Sequence, residues 1–132
     1  MSISYRVIKA KSNLPNKEGK NECYRAQVVQ NQQVSLDELA KWIEDTSAHS
    51  ASDVKAIVEH LAEAAVKYLK LGQGVSLGEI GSMTPTVQSD TTETKGEFTY
   101  RNIRKVGVRF TPSSVFKKGL EGVHFHDLDA KD

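Results

Sequence analysis

The sequence predicts an α+β fold: a helical hairpin, an antiparallel sheet with a protruding arm, and an extra β-hairpin in front. Three observations carry that reading. Two serine caps each open a run with helical apolar spacing, at Ser35 and Ser50. Short runs before and after them alternate apolar and polar residues, as half-buried strands do. A stretch without any large apolar residue, Gln88 to Gly96, interrupts the second set of strands.

In chain order, Ile3, Tyr5 and Val7 alternate with Ser4, Arg6 and Ile8, and Tyr24, Ala26 and Val28 alternate again. Asn13 to Asn21, rich in Asn, Lys, Gly and Pro, reads as the loop between them. Two strands alone are marginal in water, so residues 1–34 need a further surface to pack on. Ser35-Leu36-Asp37-Glu38 has the form of a capping box. Leu36, Leu39, Ala40 and Ile43 then share a helical face, which should end near Thr46-Ser47. Ser50 caps the next helix, with Asp53 three residues on. Val54, Ile57, Val58, Leu61, Ala65, Tyr68 and Leu69 hold its stripe until Gly72 stops it.

Gln73-Gly74 reads as a turn and Val75-Ser76-Leu77 as a strand. Gly78 and Gly81 predict a bend or bulge, and Pro85 an edge or a break in the strand Met83–Val87. Gln88–Gly96 is the mobile arm. Phe98 and Tyr100 begin the return, and Val106, Val108 and Phe110 alternate as a strand. Thr111 is placed to cap a last helix with Pro112 in its first position, and Val115, Phe116 and Leu120 give that helix an apolar side. The acidic tail from His124 is expected to fray, apart from Phe125. The domain reading is 1–34, 35–120 and 121–132.

The 132 residues suit one globular domain, with 38% hydrophobic and 27% charged residues. No apolar run approaches the ~20 residues of a membrane span, and Met1 to Val7 lacks a signal-peptide core. A cytoplasmic location is the expectation. The single cysteine, Cys23, lies in a strand-like run and reads as a small packed hydrophobe.

Net charge is only +1, but its distribution is uneven. Residues 35–63 carry two basic and seven acidic groups, whereas residues 95–118 carry seven basic and one acidic. Residues 1–34 are also basic, with six against two. The basic set of the return segment is Lys95, Arg101, Arg104, Lys105, Arg109, Lys117 and Lys118, with Asn102 inside its densest cluster. Such groups suit phosphate neutralisation, the main source of affinity for duplex DNA; a solvated strand and helix surface is the simpler alternative. In a regular strand Arg101, Lys105 and Arg109 would share a face and Arg104 would point the other way. Phe98 and Tyr100 could stack on bases, although core or dimer packing is the commoner fate of aromatics at strand spacing.

No nucleophile with a base, phosphate loop or catalytic carboxylate pair is legible, so the chain does not read as an enzyme, and no cofactor or small-molecule substrate is implied. His124, His126 and Asp127 lie close in sequence but in a segment without the fixed geometry that a metal needs.

The ordered set Ser50–Asp53, Val75-Ser76-Leu77, Glu79-Ile80-Gly81-Ser82-Met83 and Phe110-Thr111-Pro112-Ser113 resembles the HU/IHF family of bacterial histone-like DNA-binding proteins over about residues 35–120. The resemblance implies an intertwined homodimer whose two arms clasp double-stranded DNA with little sequence specificity, in the bacterial nucleoid. The family's arm tip is basic and carries an Asn-Pro pair that kinks DNA. Here the tip is Asp90-Thr91-Thr92-Glu93-Thr94-Lys95-Gly96-Glu97, so proline intercalation is not carried over. The pattern is that of a divergent, N-terminally extended subgroup. An HU-like protein-interaction or scaffolding dimer with little DNA affinity is the alternative, favoured by the acidic hairpin and arm tip.

Overall fold

The computed structural model describes residues 2–11, 19 and 21–130. The loop expected over Asn13–Asn21 lies outside them, apart from Gly19 and Asn21. The chain divides into two compact units, Met1–Val34 with Glu121–Asp132 and Ser35–Leu120.

The first unit is a three-stranded sheet in the order β2-β1-β6. β1 (Ser2–Lys11) pairs antiparallel with β2 (Glu22–Val28), from Tyr5 opposite Val28 to Lys11 opposite Glu22. β6 (His124–Asp127) pairs parallel to β1, with Ile3 opposite Phe125. The tail is therefore a strand where fraying was expected. It satisfies the open edge of β1, and the ladder extends to a bond from the Leu128 N–H to the Tyr5 carbonyl at 3.1 Å. Strand alternation sorts the side chains: Ile3, Tyr5, Val7, Tyr24, Ala26, Val28 and Phe125 share one face. Cys23 is half-buried, and its thiol donates to the Ala10 carbonyl at 3.5 Å, in keeping with a packing role.

The second unit opens with α1 (Leu36–Thr46) and α2 (Ala51–Lys70). The Ser35 hydroxyl accepts from the Glu38 N–H, and the Ser50 hydroxyl from the Asp53 N–H, each at 3.2 Å. Two cross-links set the hairpin. Glu44 of α1 accepts the Ala51 N–H at 2.6 Å, which satisfies an orphan donor at the start of α2. Lys55 of α2 reaches the Asp37 carboxylate at 2.6 Å. Gly72, at φ 78°, ends α2 as a left-handed residue past the helix.

β3 (Val75–Ser76), β4 (Gly81–Ser89) and β5 (Ile103–Pro112) form an antiparallel sheet in that order. β3 reaches only Ser82 and Met83, so Pro85 stands where β4 has no neighbour on that side and needs no N–H. Two corrections apply to the return segment. Phe98 and Tyr100 do not begin the strand: two 3₁₀ turns, Lys95–Glu97 and Tyr100–Asn102, precede β5. Thr111 is not a helix cap. It stays with Pro112 in β5 because both pair with the start of β4, and Ser113 caps α3 (Ser114–Lys118), accepting the Phe116 N–H at 3.1 Å. The Ser113 hydroxyl also donates to the Glu79 carbonyl, tying α3 to the β3–β4 turn.

Among the described residues only Ala40, Val54 and Ala65 are buried hydrophobics. The stripes read on α1 and α2 exist, but much of each lies open: Leu39 is 51% exposed and Ile57 60%. No helix among the described residues is long and apolar enough to cross a membrane.

Candidate nucleic-acid interface

The β4–β5 ribbon has two chemically distinct faces. Its register places Thr84 opposite Arg109, Thr86 opposite Gly107 and Gln88 opposite Lys105. Strand alternation therefore puts these residues together on one polar, basic face. The other face carries Met83 opposite Phe110, Pro85 opposite Val108 and Val87 opposite Val106. A Cβ on Gly107 would come within 3.0 Å of the Thr86 Oγ1, so a small residue keeps the middle of the polar face low. Thr84, Thr86 and Gln88 were not singled out from sequence, although their alternation with Met83, Pro85 and Val87 is visible there.

Towards the arm the ladder slips. Gln88 pairs with Lys105 but Ser89 pairs with Ile103, which leaves Arg104 as the extra residue of a bulge. Arg104 accordingly does not follow strand parity; its guanidinium forms an ion pair with Asp90. Arg101 lies outside β5. It sits in the second 3₁₀ turn, with its guanidinium 5.9 Å from the centroid of the exposed Tyr100 ring. Asn102 shapes that turn: its Oδ1 accepts the Thr99 N–H at 2.9 Å, and its carbonyl accepts the Asp90 N–H at 2.8 Å. Lys95 is exposed in the first 3₁₀ turn, and Lys117 and Lys118 are exposed in the last turn of α3, where cations favour the helix dipole.

The structure thus brings Lys105 and Arg109 onto one strand face. It holds Arg101 and Arg104 at the base of the arm, and Lys117 and Lys118 on a separate element. Gln88 and Ser89, read as the start of the arm, belong to β4; in the loop beyond, the Thr92 hydroxyl donates to the Thr94 carbonyl at 2.8 Å, a local bond.

The sequence pattern of a family described as an HU domain fused to wHTH, Ig or a glycine-rich motif (HU-HIG) matches residues 1–127. Among solved structures, one described as a candidate bacterial DNA-binding protein from Bacteroides vulgatus ATCC 8482 superposes with a TM-score of 0.68 at 8% identity. The match covers 96% of this chain and 48% of that one, so the chain spans about half the length of that relative. No curated protein matches. At that identity the superposition speaks for the fold alone, but the sequence pattern runs through both units, and the chain belongs to the HU-HIG family of HU domains.

Proposed function

We propose that this protein is an architectural DNA-binding homodimer that grips duplex DNA through its phosphates, with little sequence specificity. The observation that carries the reading is the two-faced ribbon. Lys105 and Arg109 stand on a face that also carries Ser82, Thr84, Thr86, Gln88, Gly107 and Thr111, which offers cations and hydroxyls to a phosphate backbone. Membership of an HU-domain family and the description of the superposed relative support the same conclusion. In this reading Lys95, Arg101, Lys105, Arg109, Lys117 and Lys118 contact phosphates, as does Arg104 once its ion pair with Asp90 is broken. Asn102 positions Arg101 through the turn it closes. The bacterial nucleoid is the corresponding location.

The opposite face supports the dimer. Val106 is 70% exposed and Val108 54%, and they continue an apolar surface with Phe110 and Val87. A groove of about 580 Å³ lined by Leu69, Pro85, Val87 and Val106 lies between the end of α2 and the ribbon. Monomers rarely leave so much contiguous apolar surface in water, and a two-fold copy of the same surface covers it most simply. Sedimentation equilibrium at micromolar protein should give a dimer mass, and Val108→Lys should shift it towards monomer; a wild-type monomer refutes the assembly.

The decisive experiment is binding of unrelated labelled duplexes across a salt series. Affinity should fall steeply with salt, with log–log slope near −0.9 per phosphate neutralised. Replacing Lys105 and Arg109 together by Ala should flatten the slope by about 0.9 for each phosphate no longer neutralised and weaken all duplexes alike. Lys41→Ala, in the acidic hairpin, should leave both unchanged. Absence of binding at low salt would favour the second reading, a protein-interaction or scaffolding dimer, to which the seven acidic groups of residues 35–63 already point.

A further inference from the structure

We infer that Asp90 is an internal competitor for the phosphate site at the base of the arm, holding Arg104 away from the DNA backbone. The inference rests on the DNA reading above and adds to it a residue that sets affinity. Two independent features put the pair in place. The bulge takes Arg104 out of the β4–β5 ladder, so its side chain is not committed to the basic face. The Asp90 backbone is fixed by the 2.8 Å bond from its N–H to the Asn102 carbonyl, which brings the carboxylate to the guanidinium. Asp90 has 39% of its side chain exposed and Arg104 71%, so the pair is open to a competing anion.

The chemistry of the exchange is simple. A guanidinium binds carboxylate and phosphate with the same planar fork, so the two anions are alternatives at Arg104. A phosphate arriving there must displace Asp90 and leave it unpaired beside the strand. Lys105 and Arg109 face no such rival in the ladder, where their partners are Gln88 and Thr84. Arg104 is therefore the cation of the set whose contribution Asp90 suppresses.

Asp90→Asn removes the charge and keeps the shape and the backbone N–H. Since an exposed ion pair is worth little, the expected gain is about 1.4- to 5-fold tighter duplex binding per arm at low salt. The salt slope should steepen by about 0.9 for each Arg104 released. Asp90→Ser carries the same expectation should the Asn variant fold poorly. In an Arg104→Ala background the Asp90 replacement should leave the slope where it was, which general relief of repulsion would not do. Wild-type binding with affinity and slope unchanged by the Asp90 replacement overturns the inference and leaves the DNA reading standing. An equal gain in the Arg104→Ala background overturns it too, because the effect would not pass through Arg104. Absence of duplex binding from both wild type and Asp90→Asn refutes the DNA reading itself, and the competition with it.

Discussion

Gly81→Ala should be among the most damaging single-methyl additions to this protein. Gly81 starts β4 with φ at 150°, a conformation that residues with a side chain rarely adopt. A Cβ built there would meet the Thr111 carbonyl oxygen closer than real Cβ atoms come, the Pro112 Cα at 2.9 Å and the Phe110 Cε2 at 3.0 Å. Two of these atoms are backbone of β5, so relief requires the strands to part where β4 is paired with Pro112. The backbone term costs about 1–3 kcal/mol and the overpacking about another 1–3 kcal/mol. Together they predict a loss of about 2–6 kcal/mol, or a fall in melting temperature of at least about 8 °C for a unit of this size. Gly78→Ala separates the two terms: it sits at φ 66° with nothing within 4 Å of the added atom. It should cost only the backbone term of about 1–2 kcal/mol. Gly96→Ala, with nothing within 4 Å and no positive φ, should be close to neutral. Thermal unfolding followed by far-ultraviolet circular dichroism, at one protein concentration for every variant because any self-association would make melting depend on it, reads all three. A Gly81→Ala protein that melts within a few degrees of Gly78→Ala would refute the claim that the ribbon base requires this close approach.

Deleting His124–Asp132 should leave β1 with β2 alone and abolish slow amide exchange in both strands, since an isolated hairpin is marginal; protection retained in β1 would show that β6 is dispensable. The pKa of Lys55 is raised above the ordinary lysine value of 10.5, first by its hydrogen bond to Asp37 and then by the charge of that carboxylate. Its stabilising contribution is thus complete below pH 10.5 and is lost as pH rises through the higher folded value. The melting-temperature gap between wild type and Lys55→Met should close over that alkaline window, and a gap independent of pH sinks the argument. In the arm, exchange should be fast at Thr91, Glu93 and Gly96 but slower at Asp90, whose N–H is bonded to Asn102; equal rates at all four would show that the bond does not persist.

What the sequence by itself determined here is whatever depends on neighbours a few residues apart. Ser35 and Ser50 cap their helices, Gly72 ends the second, and β1 and β2 form from their own alternation, because a cap or a pleat is settled within one turn or one strand. The division of β4 and β5 into a basic and an apolar face was also present in that alternation, though only register shows which residues stand opposite one another. The tertiary structure decided the rest. His124 to Asp127 has no strand signal of its own and becomes a strand because β1 presents an open edge to it. Thr111 looks like a cap, but pairing with Ser82 keeps it in β5 and passes the cap to Ser113. Arg104 looks like one more cation in a basic run. Its fate depends on a bulge and on Asp90, fourteen positions earlier across the arm. Local sequence specifies a charge, whereas the fold decides which opposite charge it meets, because the carboxylate that reaches this guanidinium is brought there only by chain folding.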